Sequence, residues 1–599
     1  LSIRTKRYFL VPHRSTKYRV QGSANLKDSP RHGFRRGLTD YGDPEFALYL
    51  RRSFAKSMGY TDASLDKPIV GICTTSSGFN NCHRHFPELL DAVTRGIQAA
   101  GALAVPFPVI SLGEVFLHPT SMKYRNLMAM DVEEMIRAQP MDAVVLMGGC
   151  DKTIPALLMG AVSADKPAVL LAGGPMMTGR HKGERLGACT DCRRFWAQYR
   201  AGRISQEEIS TVEGRLAVTA GTCAVMGTAS TMAIIAETLG MMLPDTAAIP
   251  AVHADRLRAA EETGTLAARM VKDGLRPSQL VTRKSVENAL RVLQSVSGST
   301  NAVIHLTAIA GRAGIDIDLD GFNTISDETP VLVNLKPVGD GYMEDFHEAG
   351  GADAVLRELK HALHLDTLDV TGGALAERLD VAPEVTRDDR FIRTMGNPVD
   401  PRGGLIALRG TLAPGGAILK RAAATPALSE HEGRAVVFSS LEDLAQRVDD
   451  PDLDIAADDI MVLQNAGPRS PAAMPEAGYL PIPKKLAEQG VKDMIRISDA
   501  RMSGTAFGTI VLHVTPEAFG GGPLAAVRTG DRIRLSASEK RIDLLVPGEE
   551  IARRLSEAGS TPEEPPRGYA RLFAETVLPA SRGCDFDFLT ASGARRADG

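Results

Sequence analysis

Cys150, Asp151 and Lys152 stand side by side after two glycines in the string MGGCDKTIPA, Met147 to Ala156. A thiolate is a soft ligand for iron or zinc, a carboxylate is a hard ligand for magnesium, and a lysine amine is a base that can be modified. Their adjacency points to chemistry that uses soft and hard ligands at one place on the chain. GGCDKT shares its glycines and lysine with a phosphate loop, but that loop has glycine directly before the lysine. Asp151 stands there instead, which argues against nucleotide binding. The same residues also fit a plain helix start, with Asp151 or Thr153 as N-cap, Pro155 in the first turn and Cys150 as a small buried hydrophobe.

Other segments carry the same residue types. GTCAVMGTASTMA, Gly221 to Ala233, places Cys223 among small residues before an apolar helix that also holds Glu237, and FNNCHRHF sets Cys82 beside His83 and His85. ACTDCRRFW has Cys189 and Cys192 at C-x-x-C spacing, a metal or redox pattern, without the second pair that a structural zinc site requires. Glu114 in SLGEVFLHPTSM and Glu476 in AAMPEAGY lie among glycines and prolines, where a loop can turn a carboxylate inward; their ordinary role is a solvated surface charge. Ser503, in SDARMSGTAFG, sits in a turn between strand-like runs, where most serines only form turns. His83, His85 and His118 read as loop fillers.

The elements that must position these groups change character along the chain. From about Tyr41 to Asp380, apolar strand-like runs such as PIVGICTT, DAVVLMGG and PAVLLAGG alternate with helical patterns such as PELLDAVTRGIQAAG. This alternation predicts an α/β domain with a parallel sheet over residues 37–390. Beyond it come short β-rich segments (GGLIALRG, GRAVVFSS, DIMVLQNAG, DMIRISDA, TIVLHVT, DRIRLSA), which predict a C-terminal β-barrel-like domain over 391–599 carrying Glu476 and Ser503.

At 599 residues the chain is long enough for two such cores. Its net charge of -4 hides an uneven spread: the first 36 residues hold ten Lys or Arg and one acid, Asp28, which leaves the remainder at -13. Residues 1–36 read as a basic, disordered extension: a transit peptide, a nucleic-acid arm, or translation upstream of the true start. The acidic body argues against nucleic acid as partner, and no apolar run reaches membrane-spanning length. Seven cysteines, at 73, 82, 150, 189, 192, 223 and 584, read as reduced thiols of a cytoplasmic protein, some of them metal ligands.

Taken in order, GLTDYGDPEFALYLR, PIVGIC, SLGEVFLHPTSMKYRNLMAMDVEEMIR, VVLMGGCDKTIPALLMGA, LLAGGPMMTG, GTCAVMGTASTMA, TNAVIHLTAIAGRAGI, GTLAPGGAILK, MPE and SDARMSGTAFGTIVLHVTPEA resemble the iron–sulfur dihydroxy-acid and sugar-acid dehydratases over nearly everything after residue 36. The resemblance implies that Cys82, Cys150 and Cys223 hold an iron–sulfur cluster, [2Fe–2S] or alternatively [4Fe–4S], with one iron open to substrate. It implies that Glu114, Asp151, Glu476 and Lys152, the last as a carbamate, hold Mg2+. Ser503 would take the C2 proton and Thr505 would contact substrate. SDARMSG and the threonine–aspartate of CTDCRRFW look like the sugar-acid branch, so the implied substrate is a pentonate or hexonate and the product a 2-keto-3-deoxy acid, made by a homodimer or homotetramer. Two alternatives stay open: the dihydroxy-acid dehydratase of branched-chain amino-acid synthesis, and a catalytically silent or redox-sensing relative. Three strings depart from the family pattern: NNCH at Cys82, TTSSG in place of a tryptophan-bearing string, and GPRSPAAMPE in place of the glycine-rich GPRGGPGMPE.

Overall fold

The computed structural model describes residues 32–38, 41–383, 385–557 and 567–591. Strands β1 (Ile69–Thr74), β2 (Leu103–Pro108), β3 (Ala143–Gly148) and β4 (Ala168–Ala172) form a parallel sheet in the order β2-β1-β3-β4. β3 and β4 are buried at every residue. A parallel sheet is covered on both faces, which is why AVVLMG and AVLLA are unbroken apolar runs. Helices α1 (Phe86–Ala99), α2 (Ser121–Ala138) and α3 (Thr153–Ala164) make the crossovers between successive strands.

The strand order reverses between β1 and β3. Loops leaving neighbouring strand ends diverge at such a point and open a crevice, the usual ligand site of an open α/β sheet. The loop after β1 carries Cys82, the loop after β2 carries Glu114, and the loop after β3 carries Cys150 to Lys152. The plain helix-start reading of this last loop is realised in Pro155, which lies in the first turn of α3, and in the buried Cys150, but not in its cap. Lys152 occupies the cap position of α3 and its side chain makes no capping bond, so neither Asp151 nor Thr153 is the N-cap.

Four further helices complete what the site needs: α4 (Thr190–Arg200), α5 (Thr228–Thr238), α6 (Ala254–Asp273) and α7 (Asn301–Arg312). Every residue of α5 is buried, as expected of a helix that is apolar or small all round. α6 crosses α1 so closely that a Cβ on Gly96 would overlap the Glu261 carbonyl, and one on Gly264 would overlap the Val93 carbonyl. Gly96→Ala is therefore expected to force the helices apart and to cost roughly 1–3 kcal/mol of stability, read from urea unfolding.

The second sheet has eight strands: β5 (Ile406–Leu408), β6 (Gly416–Leu419), β7 (Glu430–Phe438), β8 (Ile460–Leu463), β9 (Arg496–Ser498), β10 (Ile510–Thr515), β11 (Arg532–Ser536) and β12 (Arg541–Leu544). Their order is β12-β11-β7-β8-β9-β10-β6-β5. The middle four are parallel and the flanking pairs antiparallel. The two edges nearly meet: the Arg409 N–H donates to the Lys540 carbonyl at 3.0 Å, and the Ile542 N–H to the Arg409 carbonyl at 3.0 Å. Ile406, Leu408, Val462, Ile497, Val511 and Ile533 fill the interior. The expected α/β domain with a parallel sheet and barrel-like C-terminal domain is thus the observed architecture.

The chain's last described segment returns to the first domain, where Arg312 of α7 pairs with Asp585 at 2.7 Å, both side chains fully buried. The basic extension read over residues 1–36 lies outside the described residues as far as residue 31. Beyond that point the Gly33 N–H and the Arg36 guanidinium bond to Asp142. Among the described residues no helix is long and apolar enough to cross a membrane, and all seven cysteines are free thiols.

Candidate active site between the two domains

Glu114 and Asp151 come from the first domain and Glu476 from the second, yet one carboxylate oxygen of each lies within 4.8 Å of the others. Two cations hold this group together. Lys152 Nζ, completely buried, lies 2.9 Å from Glu114 Oε2, 3.7 Å from Asp151 Oδ2 and 3.8 Å from Glu476 Oε1. Arg501, also completely buried, spans the domains: Nη2 donates to Glu114 Oε1 at 2.7 Å and to Thr120 Oγ1 at 2.7 Å, and Nη1 to Glu476 Oε1 at 2.6 Å. Its Nε donates to the Met474 carbonyl at 2.9 Å. The Ser121 hydroxyl donates a short bond to Glu114.

The electrostatics describe a site short of positive charge at its centre. Burial pushes the Asp151 carboxyl up to about 7; Lys152 opposes this, while Glu114 and Glu476 add to it. Burial works the same way on Glu114, but Arg501, Lys152 and the Ser121 hydroxyl outweigh it and hold that carboxyl well below the usual range. Three convergent carboxylates around a buried amine that lacks a well-directed hydrogen bond are a donor set suited to a hard divalent cation. A carbamate on Lys152 would turn the one cation inside the cage into a fourth oxygen donor.

The thiols form a second group against the first. Cys82 lies beside Cys150, and that neighbour, with burial and the charge of Asp151, pushes the Cys82 thiol up. Cys223 Sγ lies 3.5 Å from Cys189 Sγ; this bond and burial push Cys223 up, with Asp151 and Cys82 adding to the effect. Among the described residues these sulfurs do not gather within 4.8 Å as the three carboxylates do. All three are free thiols, Cys82 and Cys150 buried and Cys223 half-buried. Cys150 has φ 63°, a left-handed conformation that costs a non-glycine residue about 1–2 kcal/mol and is often retained at functional turns. His83 fixes that turn: its Nε2 accepts the Gly149 N–H at 3.0 Å while its Nδ1 donates to the Thr75 carbonyl at 2.8 Å.

Cys189 and Cys192 do not behave as an isolated C-x-x-C pair. They occupy the cap and first turn of α4; Cys192 donates to the Cys189 carbonyl at 2.6 Å, and Cys189 faces Cys223. Glu237 is structural, accepting the Asp245 and Ala247 N–H groups and pairing with Arg378.

Ser503 and Thr505 lie in the loop between β9 and β10, both buried, with Ser503 Oγ 2.8 Å from Thr505 Oγ1. A Cβ on Gly504 would meet Ser299 and the Thr228 N–H, so this loop lies against the start of α5, five residues beyond Cys223. Arg501 belongs to the same loop, and the Gly478 N–H donates to its carbonyl at 2.9 Å, which ties the Glu476 turn to the Ser503 turn.

Sequence reasoning passes over Arg501 although it lies inside SDARMSG. It stands two residues from Asp499 in a short polar loop with no pattern of its own, and its partner Glu114 is 387 residues away. His83, a loop filler by sequence, instead holds the cysteine turn. The altered string GPRSPAAMPE also has a consequence: Ala473, where the family pattern has glycine, sits at φ 52°. Ala473→Gly is expected to relieve about 1 kcal/mol of strain and to raise the midpoint of thermal unfolding.

Comparison with known proteins gives these positions a context. Residues 67–378 match the family model described as dihydroxy-acid/6-phosphogluconate dehydratase N-terminal, and residues 390–584 match its C-terminal counterpart. L-arabonate dehydratase of Azospirillum brasilense is 47% identical, over 91% of this chain and 95% of its own. 6-deoxy-6-sulfo-D-gluconate dehydratase of Pseudomonas putida is 45% identical, over 88% and 92%. A dihydroxy-acid dehydratase of Acetivibrio thermocellus is 36% identical, over 89% and 96%. With both halves of the family model matched and such relatives spanning most of its length, this chain is a member of the dihydroxy-acid/6-phosphogluconate dehydratase family.

Proposed function

We propose that this protein removes water from a 2,3-dihydroxy sugar acid, a pentonate or hexonate, and releases a 2-keto-3-deoxy acid. The observation that carries the reading is the convergence of the Glu114, Asp151 and Glu476 carboxylates, with the Cys82, Cys150 and Cys223 thiols near Asp151 and the Ser503 loop tied to the Glu476 turn. Glu114, Asp151, Glu476 and a carbamate on Lys152 would hold Mg2+, and the three thiolates a [2Fe–2S] cluster, or alternatively [4Fe–4S]. When bound, these groups would supply positive charge opposite the oxyanion developing on the acid and an electrophilic pull on the departing C3 hydroxyl.

The chain's own residues do the rest. Ser503 takes the C2 proton, a task for which a free serine is a poor base, so its surroundings must favour the alkoxide. Thr505 bonds to Ser503 Oγ and limits its rotation. Arg501 keeps Glu114 ionised and aims both Glu114 and Glu476 inward, and the packing of one domain on the other keeps bulk water from the reacting carbon. The sugar-acid branch is preferred over the branched-chain one because sugar-acid dehydratases are 45–47% identical to this chain, and dihydroxy-acid dehydratases 36–38%. Assembly as a homodimer or homotetramer belongs to the same proposal, supported by the exposed Phe46, Tyr49, Phe54 and Met58 on and just after helix Pro44–Ser57.

Protein purified without air and supplied with iron, sulfide and magnesium should convert at least one pentonate or hexonate to a 2-keto acid. Its kcat/KM should exceed that for 2,3-dihydroxy-3-methylbutanoate at least about tenfold, a modest 1.4 kcal/mol of discrimination. Turnover of the branched acid alone would assign the chain to the other branch, and turnover of neither would refute the proposal.

A further inference from the structure

The family-level picture leaves a problem at Ser503: what makes this hydroxyl a competent base. The neighbours of Thr505 supply a specific answer. Helix α4 reaches across from the first domain and grips Thr505 twice, the Thr190 hydroxyl donating to its carbonyl at 2.9 Å and Arg193 Nη1 donating to its Oγ1 at 3.1 Å. The helix start is itself held firmly. Asp191, fully buried, accepts from the Gly187 N–H at 2.8 Å, from Lys336 at 3.0 Å, from Arg194 at 3.0 Å and from the Tyr342 hydroxyl at 3.0 Å. Arg193 also lies over the Tyr479 ring, 5.4 Å from its centroid. Among the described residues no carboxylate forms an ion pair with it; its charge helps hold the Cys189 thiol low, and its directed hydrogen bond goes to Thr505.

Hydrogen-bond direction follows from valence. A guanidinium has donors only, so Thr505 Oγ1 must accept from Arg193. The single Thr505 hydroxyl proton is then free for Ser503 Oγ at 2.8 Å. Ser503 Oγ also faces the Thr505 N–H at 3.4 Å. An oxygen that receives donors and is backed by a cation through one hydroxyl is better suited to be an alkoxide than a neutral alcohol.

We propose that Arg193 is a positioning residue for the base: through Thr505 it orients a hydroxyl donor onto Ser503 Oγ and stabilises the state in which Ser503 accepts the C2 proton. This rests on the reading of Ser503 as that base. The step balances simply, the proton moving from C2 to Ser503 Oγ while the C–H electron pair stays on the substrate, and Arg193 itself gives up nothing.

The test uses Arg193→Met, Arg193→Lys, Thr505→Val and the double variant Arg193→Met/Thr505→Val, all as metal-loaded enzyme, with the aldonate that wild type turns over and its C2-deuterated form. Loss of one charge-assisted bond at the base should lower kcat on the order of ten- to a hundredfold. KM should stay within about threefold, and the C2 isotope effect on kcat should rise as proton removal becomes slower than the later steps. The lysine variant, which keeps a donor-only cation, should recover part of the loss. The double variant should be no slower than Thr505→Val, because both changes break one relay. A higher KM with unchanged kcat and isotope effect would make Arg193 a substrate-binding residue and overturn the proposal, as would fully multiplicative losses in the double variant. A crystal structure of Arg193→Met tests the relay without any turnover. Thr505 Oγ1 should turn away from Ser503 Oγ; an unchanged pair would overturn the relay even if wild type dehydrates every aldonate offered. If wild type dehydrates none, the functional reading fails on its own, and the crystal result still decides the relay.

Discussion

Arg501→Met is expected to lower kcat/KM by at least about a thousandfold and to weaken Mg2+ binding ten- to a hundredfold, since partners that orient ligating carboxylates typically carry effects of this size on affinity. The guanidinium lies wholly inside the protein and bonds to Glu114, Glu476, Thr120 and the Met474 carbonyl. Methionine fills much of the volume but leaves two mostly buried carboxylates, one from each domain, without the cation that bridges them. Breaking a buried pair from one side costs about 3–5 kcal/mol. The carboxylates can escape that cost only by taking protons or by swinging apart, and either response spoils the cage. Arg501→Lys should rescue little, because an ammonium cannot place two parallel donors on carboxylates that approach from different domains. Calorimetric titration with Mg2+ and steady-state kinetics on the same samples check both halves of the expectation; unchanged Mg2+ affinity and turnover would contradict it.

Ser503→Ala is the second large effect, and its signature is different. Removing a positioned general base costs about a hundred- to ten-thousandfold, and the upper end is expected here because the one carboxylate in the loop, Asp499, is taken up by the Ala466 and Ala518 N–H groups. Iron, sulfide and magnesium contents should stay at wild-type levels, since Ser503 lies outside both ligand groups. Exchange of the substrate C2 proton with solvent should disappear along with turnover. If C2 exchange persisted while turnover fell, Ser503 would have to act on the departing hydroxyl instead.

These expectations show which parts of the molecule a single sequence reveals. Unbroken apolar runs such as AVVLMG announce a sheet covered on both faces, and β3 and β4 are buried throughout. The short strands of the second domain are legible as a barrel-like set, but not the parallel pairing of its middle four, because pairing depends on crossover paths that local pattern does not record. At the site, Cys150, Asp151 and Lys152 are visible because they are adjacent. Cys82, Glu114, Cys223, Glu476 and Ser503 acquire roles only through resemblance, since spacing along the chain says nothing about which loops share a strand end. Arg501 and Arg193 carry no signal of their own, and His83 looks like part of an ordinary loop. Each acts through a contact 66 to 387 residues away, and a lone arginine or histidine in a loop usually means nothing. The C-x-x-C spacing shows only part of its setting: Cys189 also meets Cys223, with Cys192 bonded back to the helix start.

The claim on which everything else depends is that this crevice strips a proton from C2 and the hydroxyl from C3 of one sugar acid. Proton NMR of an aldonate incubated with the anaerobically reconstituted protein in D2O tests it in a single spectrum. The expected result is loss of the C2 signal and the appearance of a 2-keto-3-deoxy acid carrying one solvent deuterium at C3. Fully metal-loaded protein that leaves the C2 proton of every pentonate and hexonate in place would contradict it.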